Sequence, residues 1–143
     1  MNAFSLPIRT GRGNDDDSQA GGASATATID TEALLKRCMG KVSFALMLLR
    51  ELEASGMKHV ERIDQHVAVA DCAGAAMAAH ALKGAASIIG AESLRSLAAE
   101  IEAVGNAGDL ESIPALVNDL REQMRACLVQ IPLIFEQAQE NES

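Results

Sequence analysis

Between Asp71 and Gly90 the chain carries Cys72, Ala75, Ala79, Leu82, Ala86 and Ile89 at intervals of three, four, three, four and three residues. An α-helix turns about 100° per residue, so this spacing puts all six on one stripe. Asp71 stands where an N-cap is wanted, and Gly90 where a left-handed residue closes a helix. Alanine supplies 11 residues between Asp71 and Glu100. It loses no side-chain entropy in a helix and lets neighbouring helices approach closely.

The same periodicity recurs on both sides. Asp30 or Thr31 can cap a short helix through Met39, with Leu34, Leu35 and Cys38 in register and Gly40 as its stop. A longer segment, 42–69, carries Val42, Leu46, Leu49, Leu52, Val60, Ile63 and Val67; Ser55-Gly56 in its middle predicts a kink or brief break. Leu94, Leu97, Ala98, Ile101 and Val104 share a face of a fourth helix, and Gly105-Asn106-Ala107-Gly108 reads as a turn. Asp109 or Ser112 caps a last helix with Pro114 in its first turn, the stripe Ile113, Leu116, Val117, Leu120, Met124, Cys127 and Ile131, and Pro132 as its limit. No stretch alternates with period two. The pattern predicts an all-α fold, an up-down antiparallel four-helix bundle over 29–135 with a short N-terminal capping helix. Residues 1–28, with Asp15-Asp16-Asp17 and Gly21-Gly22, read as a disordered tail, and 136–143 as a C-terminal tail.

Composition narrows the function. Apolar residues make up 48% of the chain but aromatic ones only 2%, so the core is built from Leu, Ile, Val, Ala and Met. A net charge of −8 argues against a nucleic-acid surface. No apolar run reaches the roughly 20 residues that span a bilayer, and no secretory leader stands at the N-terminus. Cys38, Cys72 and Cys127 are widely spaced within helical patterns and read as buried free thiols of a reducing, cytoplasmic compartment. They lack the paired spacing of a metal site.

His80 breaks the stripe. It lies roughly 120° from the line of Ala79, Leu82 and Ala86 and so faces solvent. Its strip is bare: Ala76, Gly84, Ser87 and Ala91 are small, and Lys83 is the one charge beside it. Gly84 weakens a helix interior where Ala would serve better, and what it provides is absence of bulk. A neutral imidazole is a nucleophile near neutral pH. No His or Cys stands three or four residues away to share a metal, whereas Lys83 suits an anion such as a phosphoryl group. From the residues alone, a phosphoryl carrier and a surface histidine beside a lysine both remain open. His59 and His66 read as surface histidines. Arg95 and Arg121 either rim a docking site or balance acidic neighbours.

The run His80-Ala81-Leu82-Lys83-Gly84-Ala85-Ala86-Ser87-Ile88-Ile89-Gly90-Ala91 resembles the signature of histidine-containing phosphotransfer (HPt) domains, and Leu94, Leu97 and Ile101-Glu102 continue it. So do Ile29-Asp30 before Leu34-Leu35, and Val69-Ala70-Asp71. The resemblance covers about 29–130. It implies a phosphorelay carrier of two-component signalling. His80 would accept a phosphoryl group from a receiver-domain aspartate and pass it to another, with no nucleotide-dependent kinase activity in this chain. Lys83 would balance charge, and Gly84 would clear room for the receiver. Glu102 would either orient the imidazole through its other nitrogen or remain a solvated charge. Ala76, Met77, Ser87 and Ile88 would complete the docking face. The implied partners are receiver domains of response regulators or hybrid histidine kinases, met by a monomer. No cofactor is expected on this chain; Mg2+ would belong to the receiver.

Overall fold

The computed structural model describes residues 28–142, all helices and turns, and the reading of 1–27 as a tail lies outside them. Five α-helices follow in order: α1 (Thr31–Arg37), α2 (Val42–Ala68), α3 (Cys72–Ile89), α4 (Glu92–Asn106) and α5 (Ile113–Glu142). The last four form a closed ring of neighbours, α2 on α3, α3 on α4, α4 on α5 and α5 back on α2. This is the up-down bundle that short connections between amphipathic helices dictate. α1 covers one end, packing on α3 and α2. The buried core is drawn from the predicted stripes: Leu49, Leu52, Val60 and Ile63; Ala75, Ala79, Leu82 and Ala86; Leu94, Ala98 and Ile101; Ile113, Val117, Leu120, Met124, Cys127 and Ile131. Val42, placed on the same stripe as Leu49, is exposed, and Leu46, Val67, Leu97, Val104 and Leu116 are only partly buried.

The helix ends follow local rules. Asp30 Oδ1 accepts from the Ala33 N–H at 3.1 Å, and Asp71 Oδ1 accepts from the Gly74 N–H at 2.9 Å. Gly90 closes α3 with φ +76°, where a side chain would be strained. Asp109 caps a 3-10 turn, Leu110–Ser112, that leads into α5. Among the described residues, α3 is the one helix long and apolar enough to cross a bilayer. Here that character fits a helix packed on α2, α4 and α1.

Four expectations change. The break at Ser55-Gly56 does not occur, and α2 is continuous through both residues. Gly56 is buried, and a Cβ there would stand 2.8 Å from Met124 Sδ. The glycine admits α5 rather than interrupting α2. Gly105, assigned to a turn, is instead a buried residue in the last turn of α4. Pro132 does not end α5, which runs on to Glu142, so 136–142, read as a tail, is helical. An interior proline costs about 3 kcal/mol. Burial of a large apolar side chain returns about 1.5–3 kcal/mol, and Ile131, Ile134 and Phe135 pack on the core around the proline. Finally, Thr28 belongs to the fold: its N–H and that of Ile29 each donate to Gln130 Oε1 at 3.0 Å. The three cysteines are free. Cys38 and Cys127 are buried, Cys72 only partly so, and burial pushes the Cys127 thiol up to about 11.

Candidate functional site

His80 sits near the middle of α3 with two-thirds of its side chain exposed (67%). The loops are short, so α3 and α4 lie antiparallel and in contact, and Glu102 of α4 comes level with the histidine. Glu102 Oε2 is 2.8 Å from His80 Nδ1, and Glu102 Oε1 accepts from Lys83 Nζ at 2.7 Å. The carboxylate, 21% exposed, thus joins the only two polar side chains of that stretch of α3. The lysine hydrogen bond, followed by that of His80, holds the Glu102 carboxyl below its usual range against the opposing effect of desolvation.

That arrangement selects a tautomer. An ionised carboxylate has no hydrogen to give, so Nδ1 carries the hydrogen of the pair. In the neutral ring Nε2 then keeps its lone pair, and it is the nitrogen not engaged by Glu102. The site is a nucleophilic imidazole, oriented from behind and open in front.

Around it the predicted strip is narrower than the sequence suggested. Met77 is 75% and Ile88 48% exposed. Gly84 faces open space, with nothing within 4 Å of where a Cβ would be. Ser87 is partly exposed, and its hydroxyl donates to the Lys83 carbonyl oxygen at 3.0 Å. Ala76, expected on the docking face, is buried at 2%, and Ala91 is fully buried. Ala76 faces Gly105 of α4. It lies on the same half of the helix surface as His80 but turned toward the neighbouring helix, a direction that the core stripe alone does not reveal.

The other polar residues sort themselves by partner. Arg95 is bound to Glu92 one turn away, at 3.0 and 2.5 Å. Arg121 pairs with Asp64 and ties α5 to α2, away from the α3–α4 face. His59, expected at the surface, is partly buried, whereas His66 keeps a side chain 36% exposed. His59 Nδ1 is buried without a hydrogen-bond partner among the described residues, and burial lowers its pKa. His66 Nδ1 is 3.1 Å from Asp71 Oδ2 at the α2–α3 turn.

The fold is thus a helical bundle whose α3–α4 face presents a solvent-facing histidine paired with a carboxylate. The Hpt domain family model matches residues 47–133, more than half of the chain, and the chain belongs to that family. Hpt domains are phosphotransfer carriers that act with receiver domains, and this chain is a phosphorelay carrier of two-component signalling. The fold is similar to that of histidine-containing phosphotransfer protein B (HptB) from Pseudomonas aeruginosa PAO1, with a TM-score of 0.73 at 18% identity, covering 79% of this chain and 98% of that one. It is also similar to the HPT domain of the Hpt sensor hybrid histidine kinase from Shewanella, with a TM-score of 0.68 at 22% identity, covering 77% and 95%. No curated protein matches the chain in sequence.

Proposed function

We propose that His80 is the phosphoacceptor, that Glu102 and Lys83 prepare it, and that the α3 surface around Gly84 receives the partner domain. In the transfer, the Nε2 lone pair attacks the phosphorus of a receiver aspartyl phosphate. The N–P bond forms as the bond from phosphorus to the carboxylate oxygen breaks, and the aspartate leaves as a carboxylate. Nδ1 keeps its hydrogen, bonded to Glu102, whose negative charge offsets the positive charge gained by the ring. Lys83 has three donor hydrogens, so its ammonium can contact a phosphoryl oxygen while it stays near Glu102. Transfer to a second receiver is the same displacement run in reverse, with the new aspartate as nucleophile.

Magnesium and the docking aspartate belong to the receiver in this reading, and the chain works as a cytoplasmic monomer without kinase activity of its own. The two flanking exposed apolar residues, Met77 and Ile88, suit a small transient interface. The single observation that carries the proposal is the bridge from His80 Nδ1 through Glu102 to Lys83 Nζ.

The test is incubation with a phosphorylated receiver. The unaltered chain is expected to take up an acid-labile, base-stable phosphate, and His80→Gln to take up none. Phosphate on His80→Gln would sink the assignment. Receiver binding without any transfer by the unaltered chain would replace it with a docking role.

A further inference from the structure

The bridge between His80 and Glu102 spans two helices, so its length is set by how closely α3 and α4 approach. One close contact between the two helices lies beside the site. Gly105 lies three residues after Glu102, about 4.5 Å along α4. Ala76 lies four residues before His80 on the antiparallel α3. A Cβ at position 105 would stand 2.9 Å from the Cys72 carbonyl oxygen, 3.0 Å from Ala76 Cβ and 3.3 Å from Ala76 Cα. Two of those three atoms are backbone, which cannot rotate out of the way as the end of a flexible side chain can.

We infer that Gly105 is a positioning residue for phosphotransfer: with Ala76 it sets the α3–α4 spacing that lets the Glu102 carboxylate reach His80 Nδ1 and Lys83 Nζ together. The inference rests on the proposed roles of His80 and Glu102. Ordinary contact needs about 3.5 Å between heavy atoms, so a methyl group at position 105 requires a separation of about 0.5 Å. Glu102 is less than one turn away, and its two bonds are 2.8 and 2.7 Å long. Lengthened by that amount, the His80 bond leaves the range of good hydrogen bonds and the Lys83 bond is stretched to its limit. The neutral imidazole would then lose its bias toward Nδ1–H, and Nε2 would carry the hydrogen in a larger share of molecules. A glycine in a helix is otherwise a poor choice, since alanine is the better helix former. Its presence in the buried last turn of α4 fits a position where space outweighs propensity.

The experiment follows transfer from a phosphorylated receiver and, in parallel, the imidazole 15N shifts of His80, which report the tautomer. Gly105→Ala is expected to keep its helical circular dichroism, to transfer roughly tenfold more slowly, and to shift the His80 nitrogens toward Nε2–H. Ala76→Gly in the Gly105→Ala background removes one of the clashing groups and is expected to recover part of the rate and of the Nδ1–H population. Ala76→Ser, which adds an atom on the opposite wall, is expected to act in the same direction as Gly105→Ala and serves if that variant does not fold. Wild-type rate and unchanged 15N shifts in folded Gly105→Ala, or in folded Ala76→Ser if Gly105→Ala does not fold, would overturn the inference. Glu102→Ala is measured alongside. If it slows transfer while the spacing variants do not, the spacing role alone is wrong. If Glu102→Ala also leaves rate and tautomer unchanged, the orienting role of Glu102 fails and the spacing role falls with it.

Discussion

The molecule makes the same bond twice. His66 Nδ1 meets Asp71 at the α2–α3 turn, and His80 Nδ1 meets Glu102 across the α3–α4 face, at 3.1 and 2.8 Å. At the turn, the carboxylate shares itself with the Gly74 N–H, and the histidine lies folded over the start of α3, where Gly74 leaves room for the ring. At the α3–α4 face the carboxylate shares itself with an ammonium, and the histidine is largely exposed, one turn from Gly84, which borders open space. A histidine–carboxylate pair is therefore not in itself a reactive site. What separates the two is the second partner of the carboxylate and the exposure of the ring, 36% for His66 against 67% for His80. The first pair fastens a helix end; in the proposed reading, the second prepares a nucleophile.

The comparison is broken most sharply by removing each pair in turn. Glu102→Ala is expected to slow phosphoryl uptake roughly 100-fold through lost orientation, while His66→Gln is expected to stay within about twofold of the unaltered rate; rapid-quench measurement with one phosphorylated receiver decides it. Equal losses in both would erase the distinction. Next in size is Gly84→Gln, which adds bulk only to open space. It should reduce transfer roughly tenfold by obstructing docking, with the helical circular dichroism retained; unfolding would make Gly84 structural. Asp71→Ala should do the reverse, lowering Tm by several degrees through loss of the cap while leaving transfer intact. A thermal melt and a transfer assay on the same sample test both halves.

The smallest effect concerns pH. Glu102 in the folded chain is held below its ordinary value of 4.5. Its pairing thus stabilises the fold at pH values above about 4.5, and that contribution is lost as pH falls through the folded value. Glu102→Gln should melt below the unaltered chain at neutral pH, and the gap should shrink steadily as acid is added from pH 4.5 downward. A gap that widens in acid would contradict the sign.

Much of this was legible in the residues because it depends on local rules. Asp30, Asp71 and Gly90 act as caps and stops through their own backbone geometry, and the exposure of His80 follows from its angle to the stripe. What was not legible depends on a second helix. Ala76 and Gly84 both lie within about 40° of His80 on the helix wheel, yet one is buried and the other open, because α4 covers only one side. Gly56 and Gly105 read as interruptions when only helix propensity is weighed; their place is explained by Met124, Cys72 and Ala76, which lie on other helices. Pro132 failed as a stop for the same reason, since the core contacts of α5 on both sides of it outweigh one lost hydrogen bond. Glu102, left open between two roles, was settled in position by the register of α3 against α4.

The ring order of the helices also has a meaning in time. Three of its four contacts join helices adjacent in sequence, and only α2 against α5 joins distant parts of the chain. Folding speed tracks such sequence separation, since the entropy of closing a long loop precedes the reward. The histidine and its carboxylate lie 22 residues apart, within one hairpin, and so belong to the part of the protein that can assemble with the least loop closure, ahead of the seam that completes the ring.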